Sequence, residues 1–190
     1  MNARINLLAA VAVTLMLPSC SGGTEEKGTG DAAAEVSSET LAKEVADADD
    51  LKVVSGALGD AGLASVFDSA AAYTIFAPQD AAFDALGDPG KQLREPEQRP
   101  ALIAILRDHI VPGYLTPEDI SNAIDVSDDK KVRMRTMGGH TLTFTSDGAT
   151  VTVTNEDGSS AQVAGNALRA STGVAIPLDG VLKKVEAPAA

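Results

Sequence analysis

The chain has 190 residues, enough for one domain with terminal segments and too few for two of ordinary size. Hydrophobic residues make up 44%, which excludes a disordered chain. Fifteen Lys and Arg stand against 27 Asp and Glu for a net charge of −12, a balance that argues against nucleic acid as a partner, because such affinity comes largely from cationic side chains on phosphate. With no Trp, two Tyr and four Phe, the core must rest on Val, Leu, Ile and Ala.

Arg4 is the only charge before an apolar run from Ile5 to Leu17, broken by Asn6 and Thr14. The run is too short to span a bilayer and has the length of a signal-peptide core. It ends in Leu17-Pro18-Ser19-Cys20. This resembles the lipobox of bacterial lipoproteins, with Pro18 as a departure from the small residue usual there. The resemblance implies cleavage before Cys20 and acylation of its thiol and new amino group, so that the membrane is a partner through lipidated Cys20. An ordinary leader with an incidental Cys is the alternative. Cys20 is the only Cys in the chain and stands where acylation needs it. Ser21 rather than Asp follows it, which in lipoproteins of this type implies the outer membrane more than the inner, with the domain facing the periplasm or the surface. The expected organisation is a leader over 1–19, the lipidated Cys and a flexible tether over 20–38, one domain over 39–186 and a tail over 187–190. The tether is rich in Gly, Ser and charge and behaves as a coil reaching about 20–25 Å. Its Gly28-Thr29-Gly30-Asp31-Ala32-Ala33 matches a loose dinucleotide-binding pattern but follows no strand and opens no clear helix.

The first half of the domain reads helical. Asp50 is placed to cap a helix carrying Leu51, Val54 and Leu58, stopped by Gly59 and Gly62. Tyr73 to Ala77 is a short buried strand, and Pro78 suits the first turn of a helix with Phe83 and Leu86 inside. Gly87 to Arg99, with two Pro and six charges, is expected to be a loop. Pro100 starts a helix with Leu102, Ile105, Leu106 and His109 on one face. Thr116-Pro117-Glu118-Asp119 has a capping hydroxyl, Pro at the first position and acids at the positive end of the dipole.

The second half alternates. Val132 and Met134, Leu142 and Phe144, and Val151 and Val153 are interleaved with Arg or Thr, the pattern of half-buried antiparallel strands. Asp147-Gly148 and Asp157-Gly158 mark hairpin turns. Val174 to Val185 forms a last apolar strand or strand pair. Helices first and hairpins second predict an α+β domain.

Three stretches resemble the fasciclin domain family. Tyr73-Thr74-Ile75-Phe76-Ala77-Pro78-Gln79-Asp80-Ala81-Ala82-Phe83 is close to the family's TIFAPTDEAF box. His109-Ile110-Val111-Pro112-Gly113-Tyr114 is similar to its HVVPG segment, and Gly173-Val174-Ala175-Ile176-Pro177-Leu178-Asp179-Gly180-Val181-Leu182 to NGVIHVIDGVL. The boxes fall in the family's order. The resemblance covers roughly Leu51 to Val185 and implies a β-wedge with helices packed around it, and adhesion or partner binding rather than catalysis. Asp108 stands where the family often has Tyr, and Thr172 and Ile176 where it usually has Asn and His. The acidic position used by animal members for integrin binding aligns with Ala167, so that partner is not carried over. Pro177, lacking an N–H, predicts an edge or bulged strand.

Little points to chemistry. His109 is expected to be a hydrogen-bonded core histidine, and His140, in Gly138-Gly139-His140-Thr141, an exposed turn residue. Zinc needs three or four suitably spaced ligands, and no such set, no GxSxG, no HExxH and no phosphate loop is present. The acidic clusters lack calcium-loop spacing. No catalytic residue, metal or cofactor is therefore expected. The candidate binding face is formed by His109, Ile110, Val111, Pro112, Gly113 and Tyr114 with Thr172, Gly173, Val174, Ile176 and Pro177, where Pro and Gly break regular backbone beside a sheet. The same apolar residues could instead close the core. Three readings follow in order: a non-enzymatic, monomeric adhesion protein binding a protein or polysaccharide outside the cell, a periplasmic accessory protein binding an envelope partner, and, last, a hydrolytic enzyme.

Overall fold

The computed structural model describes residues 36–67 and 71–185. The leader, Cys20 and most of the expected tether lie outside these residues, as does the C-terminal tail. Helices α1 (Leu41–Asp47), α2 (Lys52–Asp60) and α3 (Ala64–Phe67) precede strand β1 (Tyr73–Pro78). Then come α4 (Asp80–Ala85), α5 (Asp88–Leu93), a 3-10 turn at Pro96–Gln98, α6 (Arg99–Arg107), β2 (Ile110–Pro112) and α7 (Pro117–Val126). Strands β3 (Val132–Arg135), β4 (Thr141–Ser146), β5 (Val151–Asn155), β6 (Ser160–Gln162), β7 (Leu168–Ala170) and β8 (Gly173–Leu178) complete the α+β chain.

Two four-stranded sheets result, β2-β1-β8-β7 and β3-β4-β5-β6. In the first, β1 and β8 run parallel in a register that sets Tyr73 against Gly173 and Pro78 against Leu178. This sheet is the middle of three layers. Ile75, Ala77, Ile110 and Ala175 face a cluster built by α1 to α6, including Leu41, Val45, Val54, Phe67, Phe83 and Leu106. Phe76, Val111, Val174 and Ile176 face a second cluster with Ile120 and Ile124 of α7 and with Leu142, Phe144, Val151 and Val153 of the other sheet. Burial on both faces explains why β1 and β8 are continuous apolar runs, while β4 and β5, wet on one side, alternate with Thr.

Several expectations are corrected. Asp50 does not cap α2. Its N-terminal N–H groups go instead to the carboxylate of Asp80, with Val53 donating to Oδ1 at 2.9 Å, and Asp50 accepts from the Gln79 side chain. Pro78 ends β1, and α4 starts at Asp80. The expected loop 87–99 contains α5 and the 3-10 turn. Gly90 belongs in α5 because a Cβ there would lie 1.9 Å from the carbonyl oxygen of Phe83. Helix α6 stops at Arg107, so His109 lies just past it. The last apolar stretch is strand only to Leu178. Strand β8 is central in its sheet, but at Pro177 only its β1 side is laddered, so the side away from β1 is a local edge there, as expected. Strand β7 pairs no further than Ala175, and the Pro177 carbonyl accepts from Ala164, so no ladder N–H is missed there. Thr116 caps α7 as expected, in a reciprocal box with Asp119.

Residues 37 and 38 are not free coil. The Ser37 N–H donates to the Arg169 carbonyl at 2.8 Å, and the Glu39 carbonyl accepts from the Ser171 N–H at 3.0 Å and the Ser171 hydroxyl at 2.8 Å. The chain ahead of α1 thus lies along the open edge of β7, and the Leu41 N–H continues the clasp onto Thr172 Oγ1.

Candidate functional site

The second and third sequence boxes meet across the first. Strands β2 and β8 flank β1, so Pro112, Tyr73 and Gly173 form one row at one end of the central sheet. There the Gly113 N–H donates to the Ala72 carbonyl, and the chain folds back over β1. Buried Thr74 holds this turn: its hydroxyl donates to the Gly113 carbonyl at 2.8 Å and accepts the Leu115 N–H at 2.9 Å. Tyr114 packs half-buried on the second core cluster, and its hydroxyl is buried with no partner among the described residues. Arg169, on the same sheet face, pairs with Glu118 at 2.7 Å while its Nε has no partner among the described residues.

Burial divides the candidate face. Ile110, Val111, Val174 and Ile176 are core, and Gly173 and Pro177 are buried too. Pro177, placed on the candidate binding face by its sequence context, is buried because β8 is covered on both faces. Pro112 is exposed, and Gly113, Tyr114 and Thr172 are half-exposed. Thr172 is already engaged by the Leu41 N–H. The part of the face that solvent reaches is therefore the rim Pro112–Tyr114.

His109 is fully buried with both ring nitrogens bonded. Nε2 accepts the Leu182 N–H at 2.9 Å, which leaves Nδ1 as the donor to the Ile105 carbonyl at 2.8 Å. Desolvation holds its pKa down to about 4, against the opposing effects of the Ile105 hydrogen bond and the Asp108 charge. It is a neutral core histidine stitching the end of α6 to the C-terminal segment.

A second arrangement lies at the other end of β2 and went unseen in the sequence. The β3–β4 connection docks on the α6–β2 junction, with the Met137 N–H on the Ile110 carbonyl and the Gly138 N–H on the Arg107 carbonyl. This brings His140 Nδ1 within 2.7 Å of Asp108 Oδ1. The Asp108 carboxylate lies so close over Gly138 that a Cβ there would be 1.8 Å from Oδ1. Asp108 and His140 are 32 residues apart, and nothing in their local sequence links them. Among the described residues no group of three His, Cys, Asp or Glu could hold a metal ion. None of the described helices is long and apolar enough to cross a membrane.

Comparison with known proteins bears on the fold. Residues 49–184 match the family model described as the Fasciclin domain. No curated protein matches the chain. A solved structure of a FAS1 domain pair from the insect cell adhesion molecule Fasciclin I is similar at 18% identity with a TM-score of 0.50, covering 67% of this chain and 43% of that one. The chain thus spans less than half of that structure, and the likeness is one of fold. Since the family match takes in β1, β2 and β8 together with all the helices after α1, the chain belongs to the Fasciclin domain family.

Proposed function

We propose that this protein is a non-enzymatic binding module of the bacterial cell envelope, held on the outer membrane by a lipidated Cys20 and engaging an extracellular polymer or another surface. The observation that carries the binding half is the sheet end at Pro112–Tyr114, where the second and third family boxes converge beside β1 and leave an irregular, solvent-reached rim on a packed sheet. The insect protein of similar fold is a cell adhesion molecule, and that likeness supports the reading for this chain as well. The membrane half rests on the apolar leader and the solitary Cys20.

The test joins the two halves. Cys20→Ala is expected to move the protein from the membrane fraction to the soluble fraction. Protease shaving of intact cells should remove the wild-type domain, and Pro112→Asp should reduce retention of cells on matrix with thermal unfolding within a few degrees of wild type. A Cys20→Ala protein that still sediments with membranes after a salt wash sinks the anchor. A domain that shaving does not reach redirects the reading to a partner in the periplasm.

A further inference from the structure

The docking of the β3–β4 connection on α6 leaves a groove of about 320 Å³ beside the Asp108–His140 pair. Ile103, Ala104 and Met137 give the groove an apolar lining, and Arg107 lines it beside them. The Arg107 side chain is exposed and, like that of Arg135, makes no ion pair among the described residues, whereas Arg94, Arg99, Arg133 and Arg169 are each paired with a carboxylate. The Asp108 carboxylate, 7% exposed, takes Nδ1–H of His140 and so fixes the ring's tautomer and orientation, leaving Nε2 without a partner among the described residues. The groove therefore offers a free guanidinium, an oriented ring nitrogen and an apolar lining within the size of one small ring.

We propose that this groove binds an acidic sugar, a hexuronate unit of an anionic polysaccharide. Arg107 takes the carboxylate, a planar group its fork of N–H donors matches. His140 Nε2 accepts a ring hydroxyl, and the C–H face of the sugar lies on Ile103 and Met137. Asp108 is a positioning residue behind the ring. The chain's net charge of −12 works against indiscriminate binding of polyanions, so a uronate that does bind is held by this local geometry. The site is distinct from the Pro112–Tyr114 rim and needs neither that rim nor the lipid anchor.

The experiment follows the His140 ring signals by NMR in the purified full chain titrated with tri-galacturonate, galactotriose and acetate. Tri-galacturonate is expected to shift them saturably, with galactotriose and acetate far weaker. Arg107→Gln should weaken tri-galacturonate by about tenfold or more, as loss of a charge-assisted pair does, and Ile103→Trp, which fills the groove, should abolish binding with the rest of the spectrum unchanged. An equal response to galactotriose or to acetate, no saturable shift with tri-galacturonate, or full binding by both variants overturns the proposal. Cell retention of Arg107→Gln read beside that of Pro112→Asp separates failure of this site from failure of the rim.

Discussion

His109 carries a stability cost that depends on pH. The folded state holds the ring neutral with a pKa of about 4, while the unfolded chain titrates near 6.5. Above 6.5 neither state is protonated and the cost is absent. As pH falls from 6.5 to 4 the unfolded chain takes up a proton that the native state refuses, and stability drops by about 3 kcal/mol. Denaturant melts across that window should show the slope, and His109→Gln, which keeps a donor and an acceptor, should flatten it. Carboxylates held low by hydrogen bonds, such as Asp119 and Asp147, act only at lower pH. Tyr114 is the opposite case. Its buried hydroxyl has no partner among the described residues, so Tyr114→Phe should raise stability by about 1 kcal/mol in the same assay. A loss instead would mean that the hydroxyl is satisfied in solution. The helical spacing from Leu102 to Leu106 made a buried His109 legible, whereas the orphaned hydroxyl had no sequence signal, because it depends on how the 113–115 turn folds over Thr74.

Caps divide the elements into those legible in the sequence and those not. The start of α7 was legible because Thr116 and Asp119 lie within one turn and satisfy each other. The start of α2 was not, because its cap comes from Asp80, 28 residues downstream of Lys52 at the first turn of α4. Asp50 and Asp80 are thus coupled, since the Asp80 N–H also donates to the Asp50 carbonyl at 2.8 Å. Asp80→Ala should cost about 1–2 kcal/mol, and protection of the α2 amides from hydrogen exchange should fall with it; unchanged α2 protection would show that the cap carries no weight. Helix α5 was hidden for another reason: Pro89 and Gly90 speak for a loop, yet Pro is tolerated in a first turn and Gly is needed where α5 approaches Phe83. The burial of Pro177 was hidden too, because strand order decides which apolar run lies inside.

The whole molecule is closed by a parallel pair whose members stand 100 positions apart, Tyr73 against Gly173. The second core face of the middle layer is not complete until the hairpins of β3 to β6 and then β8 have been made, so burial of that cluster waits on long-range closure. A chain ended after Ala170 lacks β8 and exposes β1 along its full length. It is expected to show no cooperative thermal transition and to aggregate, whereas a transition near the wild-type temperature would mean that the helical layer is stable by itself. The three-layer plan was only half visible beforehand. Alternation revealed the outer sheet, but an unbroken apolar run carries no mark of which two layers it separates.

The clasp between Ser37–Glu39 and Arg169–Ser171 has a mechanical meaning. A pull on the chain ahead of Ser37 reaches the β7 edge first, where hydrogen bonds from Ser37, Ser171 and Leu41 take the load. Behind them Leu41 and Val45 seat α1 in the core. Those few polar contacts act as a sacrificial coupling: they can part and re-form while β1 and β8 stay paired. Tension on the N-terminal side is therefore spent at the edge of the sheet before it is felt at the Pro112–Tyr114 rim.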